Sequence, residues 1–150
     1  MVQAKIRSVD APPPELAANG ISGGLIGLEE SNTLTTAVPR TKLILGSDYE
    51  LNRFGGLLRA TRFGSVTRVF DFGGGFTPSQ KIPAQWSVDA EVSYKLFGET
   101  TLAIGANNLF DNYPDQSIPD INGAGNLAYD ILSPIGINGR FVYARARVNF

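Results

Sequence analysis

The chain has 150 residues, a formal net charge of −1 and a pI near 5.4, and it shows no basic patch interleaved with aromatic residues. This balance argues against a nucleic-acid partner. The absence of cysteine and histidine removes disulfides, thiolate metal sites, the commonest metal ligand and the commonest general base. We therefore expect a protein that is not an enzyme and that has no catalytic residue, metal or cofactor.

The N-terminal residues, MVQAKIRSVD, carry Lys5, Arg7 and Asp10 and contain no apolar core, so they do not form a signal peptide. The chain also lacks the run of roughly 18 apolar residues that a transmembrane helix needs. Membrane-spanning strands remain possible, because every second residue of such a strand is polar. A protein of that kind has to be exported, and on this interpretation the chain is a piece of a longer precursor.

Alternation of apolar and polar residues predicts β-strands, because successive side chains of a strand point to opposite faces. The predicted strands span residues 2–8, 41–51, 54–66, 86–97, 101–110 and 140–150. With 17 glycines and 9 prolines along the chain, no window is expected to hold a good helix. The fold prediction is all-β, with about six antiparallel strands in an open, curved sheet that has two unpaired edges.

The connections between these strands differ in length. Short turns at Asn52-Arg53 and Gly98-Glu99 alternate with long loops over residues 10–40, 67–85 and 111–139. Outer-membrane barrels have this asymmetry, with short turns on one side and long loops on the other. The connection lengths therefore favour a barrel segment.

The parity of the apolar positions constrains both short turns. Leu51 and Phe54 belong to the apolar face and can pair directly, which leaves a two-residue turn in which Asn52 suits a positive φ. In the second hairpin, the apolar residues of both strands are even-numbered, so two paired residues must differ by an even number for their apolar faces to match. An odd number of residues then separates them, and the turn should hold three or five residues. A pairing of Leu96 with Thr101 would turn every side chain to the other face.

The last strand has one apolar and one polar face. The apolar face carries Val142, Ala144, Ala146, Val148 and Phe150. Such a strand suits a sheet with lipid on one side and a wet lumen on the other. The predicted lumen-facing residues are Asp89, Glu91, Tyr143, Arg145 and Arg147. An acid–base role for the two carboxylates is the weaker interpretation, because no nucleophile or oxyanion donor accompanies them.

Aromatic residues fall near the predicted strand ends. If both short turns lie on one side, Tyr49, Phe54, Tyr94 and Phe150 gather at that rim, and Trp86 and Phe110 gather at the other. The stretch from Trp86 to Tyr94 would cross about 20 Å of membrane at a tilt of about 40°, close to the apolar band of about 25 Å between aromatic girdles. This spacing favours girdles over chance placement in a soluble sandwich.

Two motifs and their position resemble one family. The sequence NNLFDNYP lies at residues 107–114, and SPIGINGR lies at residues 133–140, directly before the terminal strand FVYARARVNF. Together with PRTKL at residues 39–43 and the arginine- and glycine-containing run at residues 52–64, these motifs make the chain similar to the C-terminal part of a TonB-dependent outer-membrane receptor. The resemblance extends over most of the chain, from about Lys5 onward.

The resemblance implies the fold, location and partners of the parent protein. The chain would be the C-terminal part of a large transmembrane β-barrel in a bacterial outer membrane, with the plug domain and the signal peptide outside residues 1–150. The parent would import a scarce ligand such as a ferric siderophore, and it would be driven by the TonB energy-coupling complex through the plug. Outer-membrane lipid would surround the barrel, and the assembly machinery would recognise the terminal strand at Val142, Ala144, Ala146, Val148 and Phe150.

A second hypothesis is a soluble β-sandwich that binds carbohydrate or another ligand. The two hypotheses differ in what covers the apolar face. In a barrel this face points outward and no protein covers it, whereas in a sandwich two sheets bury it against each other.

Overall fold

The computed structural model describes residues 4–19, 26–97, 100–123 and 128–148. Two helices are present, α1 (Pro14–Ala18) and α2 (Leu28–Thr35). The strands are β1 (Lys42–Leu51), β2 (Phe54–Phe63), β3 (Val66–Val69), β4 (Ser79–Ile82), β5 (Gln85–Lys95), β6 (Thr100–Asn107) and β7 (Phe141–Val148). The protein is mostly β, which confirms the predicted fold class.

Five strands form one antiparallel sheet in the order β1-β2-β5-β6-β7, and β3 and β4 form a separate hairpin. The sheet is open within the described residues, because β1 and β7 each have one unpaired edge. Successive strands are neighbours except where the β3–β4 hairpin is inserted between β2 and β5. Both short turns therefore lie at one end of the sheet, and the inserted hairpin and the long connection before β7 lie at the other.

The register confirms the predictions for both turns. Leu51 pairs with Phe54, and Asn52 between them has a φ of 54°. In the second hairpin Lys95 pairs with Thr101, and the Leu96 N–H donates to the carbonyl oxygen of Thr100 at 2.8 Å. The turn therefore contains an odd number of residues, as predicted, although residues 98–99 lie outside the described residues.

All five strands keep their apolar positions on the same face. One row of the register joins Leu45, Ala60 and Val88, and another joins Val92, Ile104 and Ala144. Because the side-chain period of a strand is two, one matched row brings the rest of each strand into phase. The sheet therefore has a largely apolar face, on which Arg62 lies near the end with the long connections, opposite a face that carries most of the charged residues.

Several predicted boundaries are wrong. Residues 4–8 form no strand, and residues 2–3 lie outside the described residues. Alternation fixes which side chains share a face but supplies no partner strand, and a strand without a partner is not stable. The segment 54–66 is divided, because β2 ends at Phe63 and β3 begins at Val66 in a separate hairpin. Gly64 lies at the junction, where its N–H donates to the Thr41 carbonyl at 2.8 Å and a Cβ would collide with Thr41 Oγ1.

Other differences are found in the long loops and at one strand end. The predicted loop 67–85 holds most of the β3–β4 hairpin, and the predicted loop 10–40 holds both helices. The strand predicted at residues 101–110 ends at Asn107, because Asn108 has a φ of 50° and cannot continue the ladder. Among the described residues no helix is long and apolar enough to cross a membrane.

The most deeply buried apolar residues lie outside the large sheet, in which only Ala103 and Ala106 of β6 are buried among the described apolar residues. Ala37, Val66, Ile82 and Ile121 are each at most 5% exposed, and they come from three separate loop segments. We call residues 28–39, 66–82, 112–123 and 128–135 the loop cap. Its helix α2 carries Glu29 and Glu30 in the first turn, where negative charge interacts favourably with the helix dipole.

Candidate functional site

The polar face of the sheet carries a salt bridge between β2 and β5. Arg59 pairs with Asp89 in the register, and its Nε and Nη2 both donate to Asp89 Oδ2, at 2.9 and 2.7 Å. The other oxygen, Asp89 Oδ1, accepts the backbone N–H of Asn108 at 2.9 Å. Asp89 thus links the polar face to the turn that follows β6, and both of its carboxylate oxygens accept hydrogen bonds.

Glu91 is the centre of a second polar group, which spans three strands. Its Oε2 accepts the Tyr143 hydroxyl at 2.9 Å, and its Oε1 accepts Arg145 Nη2 at 2.6 Å. Gly105 stands between Glu91 and Tyr143 in the register, and a Cβ at this position would collide with the Tyr143 ring. The glycine therefore lets the tyrosine lie across β6 and reach the carboxylate.

The structure places all five predicted lumen-facing residues on one face and joins most of them. Asp89, Glu91, Tyr143 and Arg145 take part in the hydrogen bonds given above. Arg147 lies on the same face of β7 and pairs with Thr101, but it makes no ion pair within the described residues.

A shallow depression of about 310 Å³ follows this polar face toward the short turns. Arg145 and Arg147 line its β7 side, and Asp48 and Glu50 line its β1 side. Lys95 crosses between them and donates to Glu50 at 3.0 Å. The depression thus has a positive wall and a negative wall, a pattern that suits a polar partner.

The opposite face of the sheet is apolar and exposed. Val92, Ile104 and Val142 are 60%, 56% and 61% exposed, although they lie in three neighbouring strands. The residues predicted as an assembly signal, Val142, Ala144, Ala146 and Val148, lie on this face of β7 and are exposed, and their role in assembly stays a prediction; Phe150 lies outside the described residues.

The predicted aromatic clusters are found in part. At the short-turn rim, Phe54 and Tyr94 form a tilted ring pair with centroids 4.8 Å apart, and Tyr49 lies on the same face one row away. Trp86 and Phe110 are exposed toward the opposite end of the sheet.

The motif NNLFDNYP forms a hydrogen-bonded turn at the junction of the sheet and the loop cap. Asn108 and Asp111 have φ values of 50° and 58°, which asparagine and aspartate tolerate better than most residues. The Asn108 side chain donates to the Asn112 carbonyl at 2.7 Å and accepts its N–H at 3.1 Å. Asp111 Oδ1 accepts the Arg140 N–H at 2.7 Å, which positions the start of β7.

Within the loop cap, a buried ion pair joins two distant segments. Arg68 Nε donates to Asp130 Oδ2 at 2.6 Å, and the two side chains are only 5% and 9% exposed. Arg68 Nη1 also donates to Thr33 Oγ1 of α2 at 3.2 Å. The buried Asn32 makes two hydrogen bonds to one edge of β3, donating to the Thr67 carbonyl at 2.8 Å and accepting the Val69 N–H at 2.9 Å.

Sequence reasoning missed several of these residues for different reasons. Alternation in β2 places Arg59 on the polar face and could have found it. The role of Gly105 depends on the register between three strands. The pairing of Arg68 with Asp130 joins positions 62 residues apart, and no pattern in the sequence predicts it.

The described residues contain no group of three or more His, Cys, Asp or Glu that could hold a metal ion. Comparison with protein-family models, with curated proteins and with solved structures finds no significant match for this chain.

Proposed function

We propose that this chain forms C-terminal strands of the barrel of a TonB-dependent receptor in a bacterial outer membrane. The parent protein imports a scarce ligand such as a ferric siderophore. The observation that carries the proposal is the apolar face shared by five strands and exposed across the width of the sheet.

An apolar surface of this extent is unfavourable in water, since each 100 Å² of exposed apolar area costs about 2.5 kcal/mol relative to burial. In the described residues no second sheet lies over it, because the β3–β4 hairpin belongs to the loop cap. Hydrocarbon is the environment in which such a face is stable without a protein cover.

Three further observations support a lipid-facing sheet. Several charged residues of the opposite face, among them Asp89 and Glu91, are paired across strands, as in a wet lumen. The short turns lie at one end of the sheet and the long connections at the other. The ring pair of Phe54 and Tyr94 lies at the short-turn rim, where an interfacial girdle would be.

The proposal assigns a role to each partner but no catalytic residue. Outer-membrane lipid covers the apolar face, and the polar face lines the lumen. The TonB complex acts through a plug domain supplied by another part of the parent. No nucleic acid and no cofactor are involved.

The single tryptophan of the chain makes a direct test possible. Trp86 lies on the proposed lipid-facing side. When the chain is reconstituted in vesicles, brominated acyl chains should quench the Trp86 emission strongly, and bromines near the headgroups should quench it best. A soluble sandwich would bury the ring between sheets, and emission unaffected by brominated lipid would refute the proposal.

The terminal strand supplies a second test, which concerns assembly. An exposed alternating edge strand can be captured by strand addition, in which main-chain bonds give affinity and alternate side chains give specificity. Deleting Phe150 in the full-length parent should lower the amount of receptor at the cell surface more than it lowers ligand affinity per receptor. Normal surface abundance with lost ligand binding would assign Phe150 to the ligand pathway instead.

A further inference from the structure

One charged residue lies on the apolar face of the sheet. Arg62 is the penultimate residue of β2, and it shares a face with Leu58 and Ala60 of the same strand. In the five strands of the sheet, every other residue on this face is uncharged. Charged side chains within membrane-spanning segments are rare and commonly mark functional sites. Arg62 therefore calls for a partner.

Arg62 lies between two exposed apolar residues in the register. It pairs with Leu43 of β1 and with Trp86 of β5, and side chains directly opposite each other have Cβ atoms about 5 Å apart. Leu43 and Trp86 are 48% and 41% exposed, and Arg62 is exposed as well. This row, which we call the Arg62 row, presents a guanidinium between an aliphatic side chain and an indole ring.

The Arg62 guanidinium has no partner within the described residues. The ion pairs found there involve Arg59, Arg68, Lys95 and Arg145, and none involves Arg62. Arg59, on the polar face of the same strand, instead donates twice to a carboxylate of the neighbouring strand. The two arginines of β2 thus differ in that the protein itself supplies an anion to one of them only.

The Arg62 row lies near one edge of the apolar face. Trp86 of this row and Tyr94 of the short-turn rim differ by eight positions in β5, which corresponds to about 20 Å of membrane at a strand tilt of about 40°. The apolar band of a barrel is about 25 Å tall. With lipid on this face, the two rows lie just inside the two boundaries of the band. The long arginine side chain can then extend to the headgroups.

The chemistry of the Arg62 row selects an anionic lipid. A guanidinium binds phosphate oxygens through paired, charge-assisted hydrogen bonds. No carboxylate of the five strands lies on this face to compete for it. The ammonium group of a zwitterionic headgroup would repel the guanidinium, so a lipid with net negative charge is preferred. Tryptophan favours the same depth, where its ring lies between headgroups and acyl chains.

We propose that Arg62 and Trp86 form a binding site for the phosphate group of an anionic lipid, in the leaflet at the long-connection end of the sheet. Arg62 binds the phosphate, and Trp86 and Leu43 contact the acyl chains beneath it. The inference rests on the proposed lipid-facing role of the sheet, and it adds which lipid is bound and at which residue.

Quenching of Trp86 by brominated lipid tests this site, because Trp86 is the single tryptophan of the chain and pairs with Arg62. The chain is reconstituted in phosphatidylcholine vesicles with a small share of brominated phosphatidic acid or, in parallel, of brominated phosphatidylcholine. The ratio of the two quenching efficiencies measures the preference for anionic lipid beside Trp86. We expect a preference of about fivefold, which corresponds to the roughly 1 kcal/mol gained by one basic residue near an anionic lipid surface.

Two substitutions at Arg62 and one control assign the preference to this residue. Arg62→Gln should abolish it, and Arg62→Lys should keep part of it, because an ammonium keeps the charge but not the paired hydrogen bonds. Arg53→Gln is the matched control, since it removes the same charge at the short-turn end of the sheet, where the Arg53 guanidinium lies over the Phe97 ring. The control should keep the preference, and circular dichroism should show that every variant keeps its strands.

The outcomes separate the lipid site from the proposed function. Failure of both brominated lipids to quench Trp86 would refute both proposals, because no lipid would then cover the face. Equal quenching by the two lipids, or an anionic preference that survives Arg62→Gln, would overturn the lipid site and leave the lipid-facing role of the sheet intact. An equal loss of preference in Arg53→Gln would also overturn the site, since the net charge of the chain would then account for the effect.

Discussion

The five-stranded sheet and the loop cap bury their residues in opposite ways. In the loop cap, apolar side chains such as Val66 and Ile82 are almost completely buried, and so is the ion pair of Arg68 with Asp130. In the sheet, large apolar side chains are exposed, while Glu91 and Asp89 are largely covered by cross-strand partners. The cap also exposes some large apolar side chains, such as Ile131 at 70%, but the most deeply buried apolar side chains belong to the cap and not to the sheet.

Under the proposed function, this difference means that one chain contains a region suited to water and a region suited to lipid. The cap obtains its stability from burial within the protein, so its contacts should account for its stability in water. The sheet obtains little burial from the protein, so its stability depends on its hydrogen-bonded ladders and on whatever covers the apolar face. Each prediction below therefore changes one region and uses a control chosen to separate the two.

The largest effect is expected in the loop cap for Asp130→Asn, which leaves the buried Arg68 guanidinium without a charged partner. Removing one partner of a buried pair costs about 3–5 kcal/mol. Hydrogen exchange should show faster opening of the β3–β4 hairpin. The control is Lys95→Gln, which removes a pair on the sheet whose side chains are 52% and 72% exposed and should cost at most about 1 kcal/mol. Similar costs for both variants would contradict the contrast between the regions.

The next effect concerns the two faces of the sheet. Ala144→Arg places a charge on the proposed lipid face and should lower the free energy of unfolding in vesicles by about 2–4 kcal/mol. Asp48→Arg is the matched control, because Asp48 lies in the neighbouring row of the register on the polar face and makes no ion pair within the described residues. Equal stability of the two variants would favour a soluble sheet.

A smaller effect is expected within the polar face for Gly105→Ala. The added Cβ would collide with the Tyr143 ring and displace its hydroxyl from Glu91, at a cost of about 1–3 kcal/mol in urea unfolding. The control is Gly46→Ala, because a Cβ at Gly46 meets nothing within 4 Å. That variant should be neutral or stabilising by about 0.5 kcal/mol, since alanine loses less backbone entropy than glycine. If Gly105→Ala is equally harmless, the tyrosine is not constrained by the glycine.

The smallest effect is expected at the rim of the sheet. Phe54→Leu keeps an apolar side chain but removes the ring contact with Tyr94, which should cost about 0.5–1.5 kcal/mol. Phe110→Leu at the other end removes an exposed ring that has no ring partner in the described residues, and it should cost less. Unfolding monitored through Trp86 measures both. A larger loss of stability for Phe110→Leu than for Phe54→Leu would contradict the prediction that the ring pair stabilises the short-turn rim.

The accuracy of the sequence predictions differs between the same two regions. In the sheet, local alternation was sufficient, because a period of two fixes the face of every residue and a two-residue turn fixes the register between Leu51 and Phe54. The shared apolar face and the grouping of Asp89 and Glu91 with β7 follow from that parity. At residues 4–8 the sequence alternates, but no other strand pairs with this segment, and the predicted strand is wrong there.

In the loop cap, the sequence determined little beyond the presence of long connections. Short strands such as β3 and β4 carry too few residues for a period to be distinguished from chance, and nine residues separate them. The burial of Arg68 depends on Asp130 and α2 arriving from distant segments. The sequence by itself therefore determined the faces and turns of the sheet, because these depend on neighbouring residues. Only the tertiary structure determined the packing of the cap, the conformation of the β3–β4 hairpin and the role of Gly105 beneath Tyr143. These features depend on contacts between residues far apart in the chain.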